Sequence, residues 1–453
     1  MKPAIAPFPV HEPLRVGLLG IGTVGGGTCR VLKRNRQIIG ARAGRAIELR
    51  ALSTRTLARA HGVVDREVEL IADPAMLVRR PDIDVVVEAI GGCTAARRLV
   101  LDAIAHGKHV VTANKALLAM HGEEIFAAAR SQGVAVAYEG AVAVSIPIVK
   151  ALREGLAANQ IDWLAGIVNG TSNFILTRMR DAGLSFADAL KEAQALGYAE
   201  TDPTLDVGGF DAAHKLALLA SLAFGMPLRL DKITIEGIAA VQPIDQRLAA
   251  RLGYAVKSLA VARRQPEGVE LRVHPALVPL SSLMAHVDGV MNGILVGSDA
   301  AGLTMHYGAG AGSEQTASAV IADLIDIARL GRPDVREARE ARQAIPSLGV
   351  PHEALAELPV IPSDDIVSRH YLRVASASDD AAARAIAGLK QHGIDIEARL
   401  DPAAEESAER GHLALVTGPV HEGRMRTVCA LLEASNGEGL CIARLRVENL
   451  PPA

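Results

Sequence analysis

The stretch RVGLLGIGTVGGG, residues 15–27, decides how the N-terminal third is read. A short apolar run at 15–19 leads straight into Gly20-Ile21-Gly22-Thr23-Val24-Gly25, and a helix-compatible segment follows at 23–32. Strand, glycine turn and helix in that order let a dinucleotide pyrophosphate approach the N–H groups of a helix N-terminus. Glycine-rich turns alone are common, so the flanking strand and helix carry the meaning. Gly20, Gly22, Thr23, Val24 and Gly25 are the candidate cofactor-binding residues of this turn.

Working outward, strands are expected at 47–52, 84–89, 109–112 and 134–138, with helices at 95–106 and 116–130. Strands alternating with helices at this spacing predict a doubly wound parallel sheet, a Rossmann-type NAD(P)-binding domain over residues 1–138. From about residue 140 the texture changes. Helices are expected at 148–156, 186–196 and 211–224, and strands at 163–168, 232–238, 269–273 and 294–297. That is an α+β domain with a partly antiparallel sheet over 139–330. Gly331, Pro333, Pro346, Pro351, Pro359 and Pro362 mark 331–365 as a linker region. The last unit, 366–453, reads strand, helix, strand, strand, helix, strand: the βαββαβ ferredoxin-like order, as a separate domain.

Composition narrows the function. A chain of 453 residues suggests about three domains. Lys and Arg number 48 against 51 Asp and Glu, a net charge of −3, which argues against nucleic-acid and membrane-surface partners. With aromatics at 3%, the cores must rest on Ala, Val, Leu and Ile, which suits strands buried on both faces. The apolar stretch 216–228 (LALLASLAFGMPL) is too short to span a bilayer and is broken by Gly225 and Pro227. The proline-broken N-terminus is not expected to be a secretory signal. Cys29, Cys93, Cys429 and Cys441 form no CxxC pair, so reduced thiols and a cytoplasmic protein are expected.

The second strand of an NAD enzyme usually ends in a carboxylate that bonds the ribose 2′-hydroxyl. Here it runs IELRALSTRT (47–56), with no carboxylate at its end and Arg55 placed to bind a 2′-phosphate. NADP is therefore favoured, with NAD possible and a solvated surface arginine as the plain alternative. Thr112-Ala113-Asn114-Lys115 ends the fourth expected strand, at the sheet edge where such folds bind ligands. The run AQALGYAETDPTLDVGGFDAAHK (193–215) gathers Glu200, Asp202, Asp206 and Asp211 and ends in Lys215. Asp211 and Lys215 share a helix face, which fits a structural ion pair as well as it fits catalysis. Functionally, carboxylates could hold a substrate amine and a lysine of lowered pKa could exchange a hydroxyl proton.

That run resembles the signature of homoserine dehydrogenases. GIGTVGGG, VVEAIGG, VTANKALLA, NGTSNFIL and GAGAGSEQTASAV resemble the same family, in family order, across residues 15–330. The resemblance implies reversible NAD(P)-dependent interconversion of L-homoserine and L-aspartate 4-semialdehyde. It implies Lys215 as the acid/base and Lys115 beside nicotinamide and substrate. Glu200, Asp206 and Asp211 would hold or orient the substrate, with Gly170 and Thr171 in the loop closing on it. Thr112 joins the cofactor contacts, and Gly310, Ala311 and Gly312 would form a second glycine-rich one. Glu139, with the backbones of Val142, Val144 and Ile146, matches a monovalent cation site for Na⁺ or K⁺. Relatives commonly read E-x-A-V-A-G-G-I-P there, whereas this chain carries Val144-Ser145 in place of the two glycines. A homodimer is the family expectation.

The tail resembles an ACT domain, which implies L-threonine as an effector. Its first turn, SASDDA (376–381), departs from the usual PGVLA-like loop in having neither Gly nor Pro. A tail that only dimerises or stiffens the enzyme is the alternative. Two other functions compete. Aspartate-semialdehyde dehydrogenase needs a nucleophilic Cys with a His partner, and Cys93 stands outside any such motif. A catalytically silent dinucleotide- and amino-acid-binding regulator would not need Lys115, Glu200, Asp211 and Lys215 together.

Overall fold

Six short aliphatic strands can be buried on both faces, and they build the N-terminal sheet. The computed structural model describes residues 12–60, 62–330, 346–376, 379–400, 412–435 and 440–452. The six strands are β1 (Leu14–Leu19), β2 (Ile47–Ser53), β3 (Glu69–Ile71), β4 (Val85–Glu88), β5 (His109–Thr112) and β6 (Val136–Ala137). They run parallel in the order β3-β2-β1-β4-β5-β6. Strand order reverses between β1 and β4, and ligands of such sheets bind in that crevice, outside the carboxyl ends. The short β3 was not anticipated, so Thr112 ends the fifth strand rather than the fourth. Its three residues carry too little pattern to be read alone.

The second sheet is formed by β7 (Ile161–Ile167), β8 (Thr234–Ile235), β9 (Tyr254–Gln265), β10 (Gly268–Pro279), β11 (Met291–Ser298), β12 (Gly302–Ala309), β13 (Val367–Ser376), β14 (Ile396–Leu400), β15 (His412–Thr417), β16 (Val420–His421) and β17 (Leu440–Val447). Its main path is β12-β11-β7-β9-β10-β17-β13-β15-β14. The hairpin of β9 and β10 is its spine, and the helix Phe210–Phe224 packs across β7, β9 and β10. β9 escaped the sequence reading because Lys257 and Arg263 interrupt its apolar run. Lys257 is nonetheless buried, its ammonium held by the Val287 carbonyl at 2.7 Å and Asp288 at 2.6 Å. The helix expected at 148–156 is one turn, Ile148–Lys150, running into a π-turn, Ala151–Gly155. Of the strand expected at 232–238 only Thr234–Ile235 is extended.

Two expectations about organisation are corrected. The βαββαβ order of the tail is present, but the tail is not a separate unit. β17 pairs in parallel with β10, Ala276 with Arg446 and Leu277 with Val447, so one sheet crosses both regions. Val256 and Leu277 also share a core with Tyr371, Val416 and Leu445. Nor is the described part of the expected linker region, 346–365, unattached. The Tyr138 hydroxyl donates to Ser347 O at 2.5 Å, Ala356 N to Gly225 O at 2.7 Å, and Ile361 N to Val269 O at 2.9 Å. Prolines marked an irregular path, not an unattached one. Residues 331–345 and the turn at 377 and 378 lie outside the described residues. No helix among the described residues is long and apolar enough to cross a membrane.

A buried charge network closes the junction. Arg272 on β10, 2% exposed, lies 2.5 Å from Glu270, 3.1 Å from Glu448 and 3.3 Å from Glu422. Arg446 bonds Glu422 and Glu236. Arg272→Met removes the cation shared by three buried carboxylates and should cost about 3–5 kcal/mol. Denaturant unfolding of the variant checks this, and a loss below about 1 kcal/mol would show that the network does not hold the tail to the sheet.

Candidate active site

Gly209, at φ +86°, turns the chain into the helix Phe210–Phe224. The apolar run after Lys215 buries that helix and so carries its first turn inward. Asp211 sits in that first turn, where a negative charge complements the helix dipole. One turn later Lys215 is buried, its ammonium donating to Asp211 Oδ2 at 2.6 Å and to Val168 O at 2.6 Å. The other oxygen of Asp211 lies 3.0 Å from Lys115 Nζ. Lys115 opens the helix Lys115–Gln132 directly after β5, with Asn114 as its cap. One buried carboxylate therefore lies between two ammonium groups from distant parts of the chain.

Asn169 completes the cluster. Its Oδ1 accepts from Ser172 N at 2.8 Å and caps the helix Gly170–Ala182. Its Nδ2 donates to Asp206 Oδ1 at 2.7 Å and to Asp211 Oδ2 at 2.8 Å. Gly170 lies against the Val290 carbonyl, where a Cβ would stand 2.7 Å from its oxygen. The Thr171 hydroxyl donates to Tyr198 O at 2.7 Å, tying this helix start to the segment bearing Glu200. Glu200 is exposed and Asp202 only closes a local turn on Thr204.

The charges divide the two lysines. Burial pushes Lys215 below the ordinary lysine value, and Asp211 opposes that shift. Lys115, with a side chain 40% exposed, is pushed up, chiefly by Asp211, then by Asp206 and Glu200. Burial alone would raise Asp211, but the lysines outweigh it and hold the carboxyl far below its usual range. Burial raises Asp206, against the Asn169 amide. Lys215 is thus the more readily deprotonated lysine and Lys115 the permanent cation.

The glycine turn follows β1 at the carboxyl end of the parallel sheet, the same end at which Lys115 follows β5. Gly20 adopts φ +94° and donates to Ser53 O at 2.8 Å. A Cβ at Gly25 would stand 2.0 Å from the Gly20 carbonyl oxygen, whereas one at Gly22 would meet nothing within 4 Å. That open cradle over a helix N-terminus fits a pyrophosphate. The Gly310, Ala311 and Gly312 segment is brought to it, because Ser313 Oγ donates to Thr23 O at 2.6 Å and accepts from Arg30 at 2.8 Å. Thr112 donates to Glu88 at 2.6 Å, and Glu88 accepts the N–H groups of Ile90 and Gly91. Arg55 lies exposed just beyond β2.

A third group lies behind the Lys115 turn. A Cβ at Gly140 would approach Ala113 to 3.3 Å. The buried Glu139 carboxylate accepts from Val149 N at 3.0 Å and Lys150 N at 2.9 Å, and its own N–H donates to Asp323 at 2.9 Å. Burial pushes Glu139 up to about 7 and Asp323 up to about 8. Ala143 and Val144 adopt φ +50° and +44°, so a β-branched residue occupies the left-handed region that favours glycine. Ser145 anchors the loop by donating its hydroxyl to Ala309 O at 2.7 Å. Among the described residues no cluster of three or more His, Cys, Asp or Glu could hold a metal ion. An ion here would depend on the carbonyls of Val142, Val144 and Ile146 around Glu139.

Two family models match the chain. One described as homoserine dehydrogenase, NAD binding domain, matches residues 20–139, and one described as homoserine dehydrogenase matches 147–325. A homoserine dehydrogenase of Pseudomonas aeruginosa is 50% identical over 441 residues, 97% of this chain and 100% of that protein. The chain belongs to the homoserine dehydrogenase family. The crystal structure of a homoserine dehydrogenase from Thiobacillus denitrificans superposes with a TM-score of 0.89 at 47% identity, covering 97% of this chain and 99% of that one. A hyperthermophilic archaeal homoserine dehydrogenase in complex with NADPH superposes at 0.61 with 25% identity, covering 72% of this chain and 100% of that one. Homoserine dehydrogenases are oxidoreductases of amino-acid biosynthesis that act on the alcohol group of homoserine with NAD(P), and that is the activity of this chain.

Three groups at the homoserine dehydrogenase site escaped the sequence reading. Asn169 and Glu88 lie inside motifs that were singled out, yet a lone amide or strand-end carboxylate has no pattern of its own. Ser145 was visible only as a departure from glycine. The turn separates folding from binding. Gly25→Ala should lower the thermal midpoint and abolish NADP⁺ binding. Gly22→Ala should keep the midpoint and weaken NADP⁺ at least tenfold, read by isothermal titration. Equal stability losses in both would assign the glycines to folding alone.

Proposed function

We propose that this homoserine dehydrogenase uses Lys215 as its acid/base and Lys115 as a fixed cation, with Asp211 setting the distance between them. The observation that carries this reading is the single carboxylate bonded to both ammonium groups, one lowered and one raised in proton affinity. In homoserine oxidation neutral Lys215 takes the C4 hydroxyl proton, and Lys115 favours the charge that develops on the oxygen. Asp206 and Glu200 hold the substrate ammonium, and Gly170 with Thr171 closes over the amino acid. Bound NAD(P) supplies the acceptor for the hydride leaving C4. The reverse direction returns the proton from Lys215 to the aldehyde oxygen.

The cofactor reading extends over Gly20, Gly22, Thr23, Val24, Gly25, Thr112, Lys115, Gly310, Ala311 and Gly312, and favours NADP. Arg55 supports that preference, as does the NADPH bound to the archaeal relative. A monovalent cation at Glu139, Val142, Val144 and Ile146 would offset two buried carboxyls that burial otherwise drives towards neutrality. Dimerisation through the second sheet is supported by its end strand β12, which exposes Leu303 at 43% and Tyr307 at 58%. The tail, 366–453, is read as an ACT-like domain taking L-threonine, its sharing of the catalytic sheet supporting the transmission of binding to 139–330. We place the protein in the cytoplasm, with Cys29, Cys93 and Cys429 as free thiols.

Reduction of NADP⁺ and of NAD⁺ at 340 nm with L-homoserine tests the coenzyme reading. NADP⁺ should be preferred, and Arg55→Ala should narrow the ratio; an equal or better rate with NAD⁺ discards Arg55 as a phosphate clamp. Glu200→Ala should mainly raise the homoserine KM, and a pure loss of kcat would remove it from substrate binding.

A further inference from the structure

The amide of Asn169 does something a helix cap does not require. Capping uses only its oxygen, which accepts from Ser172 N at 2.8 Å. Its nitrogen has two hydrogens and faces two carboxylates, Asp206 Oδ1 at 2.7 Å and Asp211 Oδ2 at 2.8 Å. Asp206 also accepts the Ser172 hydroxyl on its backbone oxygen at 3.0 Å, so the segment bearing it is fixed to the same helix start. Two carboxylates this close repel, and with no donor between them they would separate or take up a proton. Lys115 and Lys215 offset the charge of Asp211 at its two oxygens, but on Asp206 each acts less than the Asn169 amide does.

We propose that Asn169 is a positioning residue for the reaction: its nitrogen clamps Asp206 beside Asp211, so that Asp211 stays on the lysine pair while Asp206 stays ionised for the substrate ammonium. The group it recognises is thus the charged α-amine of an amino acid, through Asp206. The proposal rests on the roles given above to Asp206 and Asp211. Burial already raises Asp206 and the Asn169 amide opposes that rise, so losing the amide shifts Asp206 further up. The carboxylate needed for the ammonium is then lost as pH falls, at a higher pH than in the wild type.

Substitution can separate the two halves of the amide, because Asn, Asp and Ser cap helices about equally well. Asn169→Ser keeps a cap acceptor but cannot reach both carboxylates, and Asn169→Asp keeps the acceptor and replaces the donor by a third negative charge. Asn169→Ser should keep the thermal midpoint within a few degrees, Asn169→Asp should lower it because the new carboxylate is buried against two others, and both should bind NADP⁺ as the wild type does. Both should lose homoserine kcat/KM by on the order of ten- to a hundredfold, Asp more than Ser. In Asn169→Ser the acid limb of the kcat/KM profile for aspartate 4-semialdehyde reduction, the direction in which Lys215 must be protonated and so sets the alkaline limb, should move up by about one pH unit. Variants that keep the wild-type acid limb, whatever their midpoint, would reduce Asn169 to a cap and overturn the proposal. Asp206→Asn, measured alongside, separates the premises. If it raises the homoserine KM while Asn169→Ser moves nothing, the clamp fails and the substrate reading stands. If it leaves KM unchanged, the substrate reading fails first and takes the clamp with it.

Discussion

A carboxylate held between two lysines, with little water to screen it, is the constraint around which the rest of the molecule is arranged. Asp211 reaches Lys215 at 2.6 Å and Lys115 at 3.0 Å. Without Asp211, burial would lower Lys215 further and Lys115 would lose the charge that chiefly raises it. Sharing one acceptor while burial differs between them drives their proton affinities apart, down for Lys215 and up for Lys115. A proton acceptor and a fixed positive charge are the two groups an alcohol oxidation needs beside its coenzyme.

Bringing three charges together requires two sheets. Lys115 comes from the edge of the parallel sheet after β5, where the coenzyme crevice opens. Val168 and Asn169 follow β7 in the second sheet, and Asp211 and Lys215 start the helix that lies across that sheet. The apolar remainder of the helix, from Leu216 to Phe224, supplies the burial that lets a lysine be inserted. Burying the charges costs free energy, and the hydrophobic contacts of that helix offset the cost. The junction at Arg272 extends the second sheet into the tail, so the regulatory reading and the catalytic one share a single strand network.

Much of this was legible in the sequence where residue type and spacing coincide. The glycine turn, the strand end at Thr112 and the helix face of Asp211 and Lys215 all carry local signatures, and the structure assembles Lys115, Asp206, Asp211 and Lys215 as one group. What escaped depends on partners distant in sequence. Lys257 looks like a surface residue until Asp288 and the Val287 carbonyl enclose it, so β9 was missed. Arg272 and Arg446 look like solvated charges until the tail closes over them, so the tail was read as separate. Asn169 matters only because two carboxylates, 37 and 42 residues away, meet at its nitrogen.

The central claim is that Asp211 sets the proton affinity of Lys215, and it is reached most directly by the pH dependence of homoserine kcat/KM in Asp211→Asn beside the wild type. Burial lowers Lys215 and Asp211 opposes that shift, so removing the charge should move the ionisation that frees Lys215 as a base, the limb on which the rate rises with pH, to lower pH, with a fall in the limiting rate. An ionisation left where the wild type has it would show that Asp211 does not govern the lysine, and the arrangement described here would lose its organising interaction.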